Sequence, residues 1–186
     1  MNRLLFFLSF SLSFFTGSEF LCQINNVIVE PVFVHDASIE FGPGEGFTTY
    51  RIHLVLESSN DYISSIAGDS NDLLSISTTG TFWQSTAVNH YGNTSNESPF
   101  DSWITIDSSP EDPGPQPLTI GMSSALESFQ NGNDLILNDE FGGSWFTTFP
   151  CGSSNCDYSQ SGFAGDDKRV LIGQFTTDGV LSGTLN

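Results

Sequence analysis

The stretch Thr49-Tyr-Arg-Ile-His-Leu-Val-Leu-Glu57 decides the fold class. Tyr50, Ile52, Leu54 and Leu56 alternate with Arg51, His53, Val55 and Glu57, and a period of two puts each set on its own face of a β-strand. The same pattern recurs outward from it, at residues 27–34, 62–67, 73–78, 81–84, 100–106, 118–122, 135–137, 144–149, 170–177 and 180–185. Pro31 lacks an N–H, so the first of these is expected at a sheet edge or bent. Thr177-Asp-Gly-Val180 reads as a hairpin, because Asp-Gly takes the positive φ values of a type I′ turn at low cost. Residues 123–131 have room for one helical turn. Short strands punctuated by Gly, Asn, Asp and Ser predict an all-β chain, an antiparallel β-sandwich with Greek-key or jelly-roll connections. Phe82, Trp83, Trp103, Trp145, Phe146 and Phe175 are its expected core aromatics.

The N-terminus has a different character. Arg3 precedes an apolar run over residues 4–15, followed by Thr16, Gly17 and Ser18. A positive start, an apolar core and a small-residue exit predict a secretory signal peptide over residues 1–22, and one exported domain over 23–186. Cleavage after Ser18 and after Cys22 both fit. The run is shorter than the roughly 20 residues of a membrane span, and serines dilute it, so no membrane-spanning segment is expected.

Charge narrows the partners. The chain has 22 acidic residues against 4 basic ones, a net charge of −18. Loss of Arg3 and Glu19 with the leader leaves that balance unchanged. With Arg51, Lys168 and Arg169 as its cations, the exported domain cannot neutralise a run of phosphates, so nucleic acid is excluded as a partner class. Anionic membrane surfaces would repel it, and divalent cations would be drawn to it.

Three long loops punctuate the pattern, and binding groups concentrate in loops carried by a rigid scaffold. Residues 85–99 contain His90 and two glycosylation sequons, at Asn93 and Asn96. Residues 107–117 hold four prolines. Residues 150–168 carry Cys151 and Cys156, which an oxidising compartment would join in a disulfide closing a small loop. Tyr91, Phe100, Tyr158 and Phe163 are the aromatic contact candidates of these segments.

Catalytic signatures are not evident. There is no nucleophile elbow, no zincin helix, no phosphate-binding loop and no dinucleotide fingerprint. His35, His53 and His90 are widely separated, with no metal-ligand spacing. Adjacent carboxylates at Glu111-Asp112, Asp139-Glu140 and Asp166-Asp167 would point to opposite faces of a strand. Asp101, sharing a face with Trp103, is the candidate buried carboxylate, expected to bond to Ser or backbone groups. Hard oxygen ligands cluster at Asp69, Asn71 and Asp72, at Asp139 and Glu140, and at Asp166 and Asp167, which makes them candidate Ca²⁺ ligands. The same residue types are those that turns require.

At Phe100-Asp-Ser-Trp-Ile-Thr-Ile106 and Gly165-Asp-Asp-Lys-Arg-Val-Leu-Ile-Gly-Gln-Phe-Thr-Thr-Asp-Gly179 the chain resembles uncharacterised β-rich modules of secreted, often multidomain proteins of marine bacteria and algae. Thr48-Thr-Tyr-Arg51 and Ser182-Gly-Thr-Leu-Asn186 are similar too, so the likeness spans most of residues 47–186. Asp107 stands where such modules lead us to expect Gly. The modules often run on past this point, so a single-module or shortened version is an expectation. The resemblance implies strands and turns, and no activity.

Together these features predict a secreted, non-catalytic module for binding, adhesion or matrix structure, with a glycan or a cell-surface protein as partner. The alternatives are an extracellular carbohydrate-active hydrolase with two carboxylates in a cleft, and a structural module stabilised by Ca²⁺.

Overall fold

The computed structural model describes residues 24–38, 42–85, 99–109, 115–148 and 160–185. Among them the chain forms ten strands and one helix: β1 (Ile24–Val34), β2 (Thr48–Leu56), β3 (Ser65–Gly68), β4 (Leu74–Thr78), β5 (Trp103–Ile104), β6 (Leu118–Ile120), α1 (Ser123–Gln130), β7 (Leu135–Leu137), β8 (Gly143–Phe146), β9 (Arg169–Thr177) and β10 (Leu181–Thr184). Hydrogen bonding groups the strands into a four-stranded sheet, β1-β2-β9-β5, and two three-stranded ones, β10-β4-β7 and β3-β8-β6. Every pairing is antiparallel. The chain is all-β, as the period-two pattern requires.

The decisive stretch behaves as its alternation dictates. Ile52, Leu54 and Leu56 of β2 are buried, and they join Leu74 and Ile76 of β4, Leu135 and Leu137 of β7, Trp145 of β8 and Ile172 and Phe175 of β9 in one core. Phe82, Phe129 and Phe175 meet at ring-centroid distances of 5.5 to 5.9 Å. Burying each such side chain contributes about 1.5–3 kcal/mol. Trp103 is also buried, but on the opposite face of its sheet, paired with Gln174 of β9. Trp83 and Phe146 are only half-buried. β9 is buried on both faces, and β2 and β5 close its two edges.

Pro31 does mark an edge. β1 lies at the margin of its sheet, and its register against β2 shifts between Pro31 and Phe33. Several expected strands contract: 100–106 pairs only at β5, 81–84 reduces to a bridge at Phe82, and 62–67 begins at Ser65 after a lone bridge at Tyr62. The hairpin at residues 177–180 is a correction. β10 pairs with β4 instead of β9, so Asp178-Gly179 carries the chain from one sheet to another. Neither residue has a positive φ. Asp178 instead accepts a hydrogen bond from the Thr81 N–H at 2.8 Å, and a Cβ on Gly179 would stand 2.2 Å from the Gly80 nitrogen. Gly179 answers close backbone approach; it does not serve a type I′ turn.

The helical turn at 123–131 exists as α1. Leu126 and Phe129, three residues apart, share its buried face. Side-chain amides of Asn131 and Asn133 donate to the Glu127 and Ser128 carbonyls, satisfying its last turn, and Gly132 follows at φ 84°. No helix among the described residues is long and apolar enough to cross a membrane.

Candidate binding site at two paired turns

Two acidic sequences that are 70 residues apart fold into similar turns and meet. In the first, the Asp69 carboxylate accepts the N–H groups of Asn71 and Asp72 at 2.6 and 2.9 Å. In the second, the Asp139 carboxylate accepts those of Phe141 and Gly142 at 2.9 and 2.7 Å. A short acidic side chain bonding two and three residues ahead is the mechanism by which Asp organises a turn. The Ser70 N–H then donates to the Asp139 carbonyl at 2.9 Å, tying the turns together. The first connects β3 to β4 and the second connects β7 to β8, and those strands pair in the same order on either side.

The packing there admits no side chains. A Cβ on Gly68 would lie 2.5 Å from the Leu74 Cβ, one on Gly142 would lie 2.8 Å from the Gly68 carbonyl oxygen, and one on Gly121 would lie 2.3 Å from that of Gly142. Gly121 and Gly142 also hold φ values of 68° and 66°, which L side chains rarely adopt. These glycines make a flat floor. On it Phe141 is 89% exposed, beside Ile120 at 67%.

Two open grooves flank this point. One, of about 770 Å³, is lined by Gly68, Asp69, Asp72, Ile120, Phe141 and Ser144, among others. The other, of about 990 Å³, runs along α1 and β7, past Ser124, Ser128, Asn133, Asp134 and Asn138, to Asp139. Gly121 lines both. The arrangement offers one aromatic face, hydroxyls, amides and carboxylate oxygens, and among the described residues no Lys or Arg lines either groove.

This geometry explains the acidic clusters of the sequence. Asp69, Asn71 and Asp72 are brought beside Asp139 and Glu140, but Asp69 and Asp139 direct carboxylate oxygens at their own turn N–H groups. Those bonds, first from Asp72 and then Asn71, hold the Asp69 carboxyl below the usual carboxylate range. Asp166 and Asp167 belong to a separate turn before β9, where Asp167 accepts the Arg169 N–H at 3.2 Å. Among the described residues no group of three or more His, Cys, Asp or Glu is gathered for a metal ion.

A second cluster lies on the other face of the four-stranded sheet. His35 Nε2 and the Thr49 hydroxyl are 2.9 Å apart, and the Thr49 and Thr176 hydroxyls 2.7 Å apart, all buried. The Thr176 N–H donates to the Ser102 hydroxyl, and the Gln174 amide donates to the Pro99 and Asp101 carbonyls. Asp101 is fully buried; one carboxylate oxygen accepts the Ser85 N–H at 2.6 Å and the other has no partner. Burial pushes its carboxyl up to about 7, against the opposing pull of the Ser85 and Ser102 N–H groups. Burial likewise lowers the pKa of His35, whose Nδ1 has no partner. The expectation of a structural Asp101 agrees with these bonds. Asp107, just beyond, sits at φ 58°, the left-handed region in which Gly is at ease.

The aromatic contact candidates fare differently. Phe163 is a correction: it is 5% exposed and packs on Tyr62 at a centroid distance of 4.8 Å, because the turn before β9 folds it inward. Phe100 is half-buried against Phe33 and His35. Tyr91, Tyr158, the sequons at Asn93 and Asn96, and the Cys151–Cys156 pair lie outside the described residues. Phe141 was not legible as a contact, since a lone aromatic between Glu140 and Gly142 carries no periodic signal. Its clue was an aromatic inside a turn. Compared with models of protein families, with curated proteins and with solved structures, the chain matches none.

Proposed function

We propose that this protein is an exported, non-catalytic binding module, and that it engages its ligand through the face built by the paired turns. One observation carries the reading. Phe141 is 89% exposed while its backbone is pinned by the Asp139 carboxylate, in the lining of one of the two grooves. Fixing a turn before binding removes part of the ordering cost of association, and an aromatic side chain supplies large contact area with few torsions to freeze. Scattered exposed hydrophobics are ordinary on protein surfaces, but a nearly naked aromatic on a pinned turn in the lining of a groove is the form of a contact anchor. The acidic surface, the leader and the β-scaffold support an extracellular setting.

The test is an array of glycans and cell-surface proteins probed with the labelled residue 23–186 domain and its Phe141→Ala variant. The expected outcome is a bound feature that the variant loses while its thermal melt is unchanged. Binding that survives the substitution at full strength would refute this face as the contact surface.

A further inference from the structure

We infer that the ligand of this face is an uncharged polysaccharide chain, lying across both grooves with one sugar ring stacked on Phe141. The inference rests on the binding reading above and adds the chemistry of what is bound.

Charge makes the first selection. The chain carries −18, and among the described residues the lining of the two grooves includes Asp69, Asp72, Asp134 and Asp139 but no Lys or Arg. A sulfated or uronic-acid polymer would meet only like charge there. The second selection concerns polar chemistry. Ser124, Ser128, Asn133 and Asn138 offer donors and acceptors together, and the carboxylates accept. Sugar hydroxyls, which both donate and accept, match that mixture. A basic polypeptide would be drawn chiefly to the carboxylates, and its binding would weaken as salt is added.

The third selection is shape. The exposed Phe141 ring presents an apolar face, as does the C–H side of a pyranose, and the two pack without any charge pairing. Volumes of about 770 and 990 Å³ are at or near the upper end of small-molecule sites, so each groove has room for more than one ring. Gly121 lines both grooves, and a Cβ there would meet the Gly142 carbonyl oxygen at 2.3 Å. A chain that passes Gly121 would occupy both grooves, whereas a single sugar would leave one empty.

Affinity electrophoresis of the 23–186 domain tests this with three sets of probes: laminarin, galactomannan and xyloglucan as neutral chains, alginate and a sulfated galactan as anionic ones, and poly-L-lysine. The expected result is retardation by at least one neutral polymer, insensitive to added salt. Phe141→Ala should weaken it at least tenfold and Phe141→Trp should retain it. Ser124→Trp, which fills the second groove, should also weaken it. Thermal melts of all variants serve as the folding control. Phe141-dependent retardation only by the anionic polymers, or only by poly-L-lysine, would overturn the neutral-glycan inference and leave the binding reading standing. No retardation by any polymer overturns the inference by itself, and the protein array then decides the binding reading. Full-strength binding by Phe141→Ala overturns both. An unaffected Ser124→Trp would refute the two-groove path.

Discussion

Replacing Asp101 with Asn should make the protein relatively more stable as the pH rises. Asp101 is fully buried, and one of its oxygens has no hydrogen-bond partner. Desolvation raises its pKa from 3.8 to about 7, so the folded state favours the protonated acid. A group whose folded pKa exceeds its unfolded pKa leaves stability intact below the unfolded value, and removes it as pH climbs through the folded one. The gap of roughly three pKa units corresponds to about 4 kcal/mol once both states are ionised, and about 2–3 kcal/mol of that falls between pH 5 and pH 8. These are upper values, because water reaching the carboxylate would reduce them. For a domain of this size about 2–3 kcal/mol is a Tm change of roughly 5–10 °C. The assay is urea or thermal unfolding of both proteins at the two pH values, followed by circular dichroism. The Asn side chain cannot ionise, so its curve should lack the part of the alkaline loss that Asp101 causes. Parallel pH profiles for the two proteins would refute the argument. Shared losses from the −18 charge cancel in the comparison.

Two further outcomes follow from named contacts. His35 works in the opposite sense: burial depresses its pKa below 6.5, so stability is present above that value and declines as pH falls through the lowered one. His35→Gln should flatten the acid limb of the same unfolding profile; an unchanged limb would exclude His35 as its source. Gly68→Ala should destabilise by about 1–3 kcal/mol, because the new Cβ would meet the Leu74 Cβ at 2.5 Å and the Leu74 nitrogen at 2.8 Å, and backbone must shift. Urea denaturation with an unaltered midpoint would show that the paired turns adjust freely.

Much of the fold was readable because its cause is local. Alternation in 49–57 picked out the face of β2 that buries Ile52, Leu54 and Leu56, although Tyr50 on that face is only half-buried and Thr49 on the other is buried; Pro31 announced an edge or a bend, and residues 123–131 had room for the turn that became α1. Asp101 was readable as a structural carboxylate for the same reason, its place beside Trp103. The proposed binding face was readable only in part. The acidic clusters stood out, but a composition suited to calcium is also a composition suited to turns, and the hydrogen bonds of Asp69 and Asp139 decide between those uses.

What the sequence by itself determined was therefore conformation over a few residues, extended segments and their faces, together with a net charge of −18. Tertiary structure decided which strand each one pairs with. β10 chose β4, about 100 residues away, over its neighbour β9, since an alternating strand specifies a face and leaves its edge partner to long-range packing. The same packing set Ser70 against Asp139, turned Phe163 inward against Tyr62, and left Phe141 standing in solvent on a glycine floor.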